Sequence, residues 1–68
     1  MGKIVIYGKD GWPYTQEARE ALGPDAEYHD VIKDGLRLTE MLTWSGGTRK
    51  VPVIIRDGEA SIGWEGGT

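Results

Sequence analysis

The chain contains no cysteine and no phenylalanine, and its single histidine is His29. Without cysteine there is no disulfide framework, no zinc knuckle and no thiol chemistry from the polypeptide as written, and a reducing, cytoplasmic setting is the default expectation. His29 has neither a cysteine nor a second histidine near it, so no metal site is expected, and it reads as a solvated side chain on a strand of alternating exposure. Long apolar runs are also missing: no stretch approaches the ~20 residues that cross a bilayer. The opening Met1–Lys3, followed by a short strand-like run, is too brief for a signal peptide. A soluble protein without a membrane partner is therefore expected. Basic excess is lacking as well. Eight Lys and Arg against eleven Asp and Glu give a formal charge of −3, and only Arg49 and Lys50 adjoin, which argues against a nucleic-acid partner. No carboxylate pair is placed for hydrolysis. The stretch GGTRK lacks phosphate-loop spacing and follows a helical pattern instead of a strand.

What is present fits into 68 residues, room for one domain, 1–68, close to the size at which a single core only just offsets chain entropy. With no disulfide or metal to help, packing has to stabilise it, and a monomer is expected. Three Trp and three Tyr are the only aromatics; their polar edges favour clefts and binding surfaces over deep cores. Trp44, near the end of a helical pattern, reads as a packing residue.

KIVIY, residues 3–7, is a β-branched and aromatic run bounded by glycines, the pattern of a strand covered on both faces. From Thr15, TQEAREALGP places Ala18, Ala21 and Leu22 at helical spacing, with Pro13 and Tyr14 near the start and Gly23–Pro24 as a stop. AEYHDV, residues 26–31, alternates like a half-buried strand and should run parallel to the first as a βαβ unit. In DGLRLTEMLTWSGG, the stripe Leu38, Met41, Leu42 predicts a second helix ended by Gly46–Gly47. VPVII, residues 51–55, then a tight turn at Asp57–Gly58 and ASIG, residues 60–63, predict an antiparallel hairpin. The order is β-α-β-α-β-β, an α/β layer structure with a four-stranded mixed sheet.

A strand leading into WPYT at the start of a helix, a βαβ unit, and KVP before a hairpin together resemble a glutaredoxin, a protein of the thioredoxin fold. The likeness covers nearly the whole chain. Glutaredoxins carry C-P-Y-C at the strand-to-helix turn, a T-V-P-like tripeptide before the third strand and a glycine-containing segment after the fourth. The matching segments are Trp12–Pro13–Tyr14–Thr15, Lys50–Val51–Pro52 and Ile62–Gly63–Trp64–Glu65. Family members continue into a further helix over the first helix's side of the sheet. The residues up to Thr68 show no pattern for that helix, and where it is absent apolar sheet surface is expected to be exposed.

The resemblance implies a thiol- or selenol-disulfide oxidoreductase acting on glutathione mixed disulfides or on a protein disulfide. Glutathione would be co-substrate, no bound cofactor would be needed, and without C-G-F-S no iron–sulfur cluster is expected. Position 12 would hold the nucleophile at a helix N-terminus, where free amides and the helix dipole favour the anion. Thr15 takes the resolving position, which implies a monothiol route. Lys9 would add positive charge, Pro13 suits the first helical turn, and Tyr14 would offer its hydroxyl to the substrate. Val51, before a cis Pro52, would pair strand-like with the cysteinyl part of glutathione. Lys50, with Arg49, would steer the anion, and Gly63 and Trp64 would approach its γ-glutamyl end. Trp64 and Glu65 depart from the acidic or Gly-Gly pattern usual there.

Trp12 departs further, because an indole has no electron pair able to attack a disulfide. Two explanations follow. Trp is specified by UGG, one base from both cysteine codons and from UGA, and U-P-Y-T-like selenoproteins exist among glutaredoxin relatives, so Trp12 would stand in for the nucleophile. Alternatively the fold has given up catalysis and its groove binds glutathione or a peptide.

Overall fold

The computed structural model describes residues 3–68. Strand β1, Ile4–Gly8, is followed by helix α1, Pro13–Leu22, strand β2, Glu27–Asp30, helix α2, Gly35–Ser45, and the hairpin β3, Val53–Arg56, with β4, Glu59–Ile62. One sheet holds the strands in the order β2-β1-β3-β4. β1 and β2 are parallel, with Ile6 opposite Tyr28, whereas β3 runs antiparallel to both β1 and β4. The α/β class, element order and four-stranded mixed sheet are those the hydrophobic pattern predicts.

Element limits differ by a residue or two for local reasons. α1 starts at Pro13, ahead of the apolar periodicity, because a proline in the first turn forgoes no intrahelical bond. β3 starts at Val53, after Pro52, although Pro52 still accepts a hydrogen bond from the Gly63 amide at 2.6 Å. α2 is capped by Asp34, whose carboxylate accepts from the amides of Leu36 and Arg37, and ends at Gly46 in the left-handed region. Asp57 and Gly58, with φ of 53° and 81°, form the two-residue turn whose twist suits a hairpin.

The helices lie on opposite faces. On one, Ile6 and Ile54 meet Ala18 of α1, with Leu22, Tyr28 and Trp64 around them. On the other, Tyr7, Val53 and Ile55 meet Val31 and Met41, bordered by Leu38, Leu42 and Val51. Period-2 alternation along β1 and β3 divides neighbouring residues between these two cores.

The expected bare apolar surface on the α1 side is not found. After β4 the chain turns back on itself, Trp64 and Gly67 exchange backbone hydrogen bonds at 2.8 Å, and the Trp64 indole packs over the small core. Ile54 is left 2% exposed. Arg56, Glu59 and Ser61, paired with one another or with Ile54 across the hairpin, make the rest of that surface polar. No helix among the described residues is long and apolar enough to cross a membrane.

Candidate functional site

Register brings the residues singled out in the sequence to one end of the sheet. Tyr7 faces Val53, and Val53 faces Ile62, so the end of β1, the start of β3 and the end of β4 adjoin. Gly63 is tied to Pro52 by its amide, and the Val51–Pro52 peptide is cis. α1 leaves from the same end, and the ring of Tyr14 lies flat against Gly67: a Cβ built on Gly67 would come 2.0 Å from a Tyr14 ring carbon. Tyr14, Gly67, Gly63 and Pro52 thus form a continuous line from the first turn of α1 to the segment ahead of β3.

Trp12 is the N-cap residue of α1, in extended conformation, and no side chain caps the helix. Its carbonyl accepts from Gln16 and its own amide donates to Lys9. The first turn holds no acidic residue, and the Lys9 ammonium sits 4.4 Å from the centre of the indole ring. Whatever occupies position 12 therefore meets the positive end of the helix and a cation together. The indole N–H is buried and has no hydrogen-bond partner among the described residues; such an orphaned donor costs about 1–3 kcal/mol.

Thr15 is fully buried. Its hydroxyl accepts from the Lys9 amide at 3.3 Å, and its methyl and hydroxyl lie so near Gly8 that a Cβ there would come within 2.5 Å. The side chain thus fastens α1 to the end of β1. Tyr14 does not stand free either; it is 37% exposed, with one face of the ring on the Gly67 backbone. Pro13 is exposed, Val51 is half-buried against the α2-side core, and Pro52 is buried. Lys50 and Arg49 are exposed with no ion-pair partner among the described residues. Trp64 belongs to the α1-side core, with its indole directed inward.

A polar network that the sequence reading missed holds the turn carrying Trp12. The Asp10 amide donates to Asp30 at 3.0 Å, and the Asp10 carboxylate accepts from Tyr28 at 2.7 Å and from Lys33 at 2.6 Å. Asp30 also takes the amides of Ile32 and Lys33, an Asx turn whose i to i+2 spacing was readable. Arg19 stacks over the Tyr28 ring at 3.8 Å. The Lys33 bond, then the Tyr28 bond, hold the Asp10 carboxyl below its usual range. Burial, then the Asp10 bond, push the Tyr28 hydroxyl up. The Asp10 bond likewise raises the Lys33 ammonium. These are positioning groups, since their charges and hydrogen bonds are spent on one another.

His29 faces Tyr7, with ring centres 5.6 Å apart, and is hydrogen-bonded to Glu27, which also binds Lys3. No cluster among the described residues could hold a metal ion. Open recesses occur beside the C-terminal half of α1, near Arg19 and Tyr28, and under the β3–β4 hairpin; neither is lined by Trp12, Val51 or Pro52. Neither a family model nor a curated protein matches the chain.

Proposed function

We propose that the chain has a thioredoxin-like fold and is a glutaredoxin-like thiol- or selenol-disulfide oxidoreductase whose reactive atom belongs at position 12, the Trp12 form being inactive. The observation that carries this reading is the uncapped N-terminus of α1, flanked by Lys9 and with no acidic residue in the helix's first turn, at the same sheet end as the Val51–Pro52 and Gly63 segment. A thiolate or selenolate there is stabilised as the anion that attacks sulfur. The orphaned indole N–H supports treating Trp12 as a misfit at that place.

In the reaction, the anion at position 12 attacks the glutathione sulfur of a mixed disulfide, the substrate thiolate leaves, and a glutathionylated protein forms. A second glutathione thiolate then attacks that bond, releasing oxidised glutathione and regenerating the anion. With Thr15 buried against Gly8, no side chain of the next helical turn competes for the second step. The substrate's peptide part would lie along Val51, with Lys9, Arg49 and Lys50 drawing in its carboxylates and Tyr14 forming a side wall.

The test is Trp12→Cys assayed for glutathione-dependent reduction of a mixed disulfide. Turnover appearing in the variant and absent from the parent is expected; no gain over the parent removes the enzyme reading. A UGA or cysteine codon at position 12 of the source gene is expected on the same grounds.

One observation favours a second reading, a non-catalytic module for glutathione or a peptide: Lys9 stacked on the indole gives Trp12 a defined place at the rim. Under it, glutathione added to the Trp12 form shifts the amide resonances of Val51 and Gly63, and an unmoved spectrum dismisses it.

A further inference from the structure

The two edges of the sheet are unlike. β2 carries Glu27, Tyr28, His29 and Asp30, with Lys3 and His29 both engaged by Glu27, charges of the kind that discourage strand addition. β4 is exposed along its whole length, Glu59–Ile62, with one charged residue and no proline or lysine.

A single contact sets the hydrogen-bond phase of the hairpin. The Gly63 amide donates to the Pro52 carbonyl, and that pair continues the register in which Ile54 faces Ser61 and Arg56 faces Glu59. Bonded and unbonded pairs alternate along an antiparallel ladder. Glu59 and Ser61 therefore turn their amides and carbonyls toward β3, whereas those of Ala60 and Ile62 point out of the sheet.

We infer that β4 pairs antiparallel with β4 of a second copy of this chain, about a two-fold axis at Ser61, so that one sheet runs through both copies. This register engages both outward residues of each copy, Ala60 of one exchanging hydrogen bonds with Ile62 of the other. A slip by one residue sets outward groups against inward ones and forms no ladder. Side chains agree with it. Ile62, 44% exposed in the single chain, gains an apolar neighbour in Ala60 on the α2 side. On the α1 side Ser61 meets Ser61, and Glu59 meets Gly63, so no like charges oppose one another. The contact is isologous and closes after two copies. It brings a carboxylate of the second copy to the Gly63 rim of the candidate site. A four-residue edge is a small interface, so the dimer is weak and forms at upper-micromolar concentration or above. The pairing is independent of the chemistry proposed for position 12.

The test is the weight-average mass of the unmodified chain between about 10 µM and about 2 mM, beside Ser61→Lys and Ser61→Glu. The unmodified chain is expected to approach twice the monomer mass. Each variant alone stays monomeric, because two like charges meet at the axis, and an equimolar mixture of the two regains the dimer. Three results overturn the inference: a monomeric parent at the highest concentration, a Ser61→Lys chain that dimerises like the parent, or a mixture that stays monomeric. Amide exchange in the unmodified chain gives a check that needs no variant. Ala60 and Ile62 slow by at least about threefold across that range as the dimer fills, and exchange that ignores concentration also overturns the pairing.

Discussion

Two turns border the candidate site, and they are held by opposite means. The β1–α1 turn, which presents Trp12, is held by charged and polar side chains: Asp10, Tyr28, Asp30 and Lys33. The turn after β4 is held by apolar packing and close backbone approach, with Trp64 on the core and the Tyr14 ring on Gly67. Both turns hang from the same end of one sheet, yet the first depends on ionisation and the second on shape. The difference separates their roles. The polar turn can give way to substitution or acid without opening the core, whereas the apolar turn packs over the α1-side core, and its loss uncovers Ile54.

Trp64→Ala should give the largest effect, about 2–3 kcal/mol of unfolding free energy by denaturant titration, since it removes a large, partly buried ring over Ile6 and Ile54. A loss below 1 kcal/mol would show that the turn is not held by its indole. Gly67→Ala comes next, about 1–2 kcal/mol, because the added methyl meets the Tyr14 ring and one of the two must move. Adding Tyr14→Ala should recover part of that loss, so that the two changes are non-additive. Tyr28→Phe should cost about 1 kcal/mol through the Asp10 hydrogen bond and leave the Trp64 packing untouched. Near-ultraviolet circular dichroism of the tryptophans checks that separation.

Acid should act on the polar turn with the smallest effect, since its ion pairs are exposed. Asp10 in that turn is held below its usual range chiefly by Lys33, and outside it Glu27 on β2 and Glu40 on α2 are lowered chiefly by Lys3 and Arg37. A carboxyl depressed in the folded state contributes stability that is full above its unfolded pKa and is lost as pH falls through the folded one. Thermal stability should therefore be level near neutrality and decline from about pH 4.5 downward. Tyr28→Phe, which removes one cause of the Asp10 shift, should make the decline shallower.

Element order and class were legible in the sequence because each element carries a local signal: KIVIY for a doubly covered strand, the Leu38, Met41, Leu42 stripe and Gly46–Gly47 for α2, Asp57–Gly58 for the hairpin. Pro52 and Gly63 were legible as a pair of segments, and they do meet. Contacts fixed by tertiary approach were not. Nothing in WPYT says that Tyr14 will lie on a glycine 53 residues later, and GWEGGT shows only a glycine-rich composition, although Trp64 closes a core and Gly67 admits a ring. Asp10 carries no local signal of its role, because its partners, Tyr28 and Lys33, come from β2 and the loop after it. Thr15 read as a substituted reactive position. Its burial against Gly8 depends on the packing of α1 over β1, which no local pattern encodes.

The most direct test of the site is the ionisation of a thiol placed at position 12. In Trp12→Cys, thiolate absorbance followed against pH should give a pKa well below the ~8.5 of an unperturbed cysteine, and Lys9→Ala in that background should raise it. A thiol titrating at 8.5 or above would contradict the assignment, since the start of α1 and Lys9 would then supply no anion stabilisation at the one position the chemistry requires.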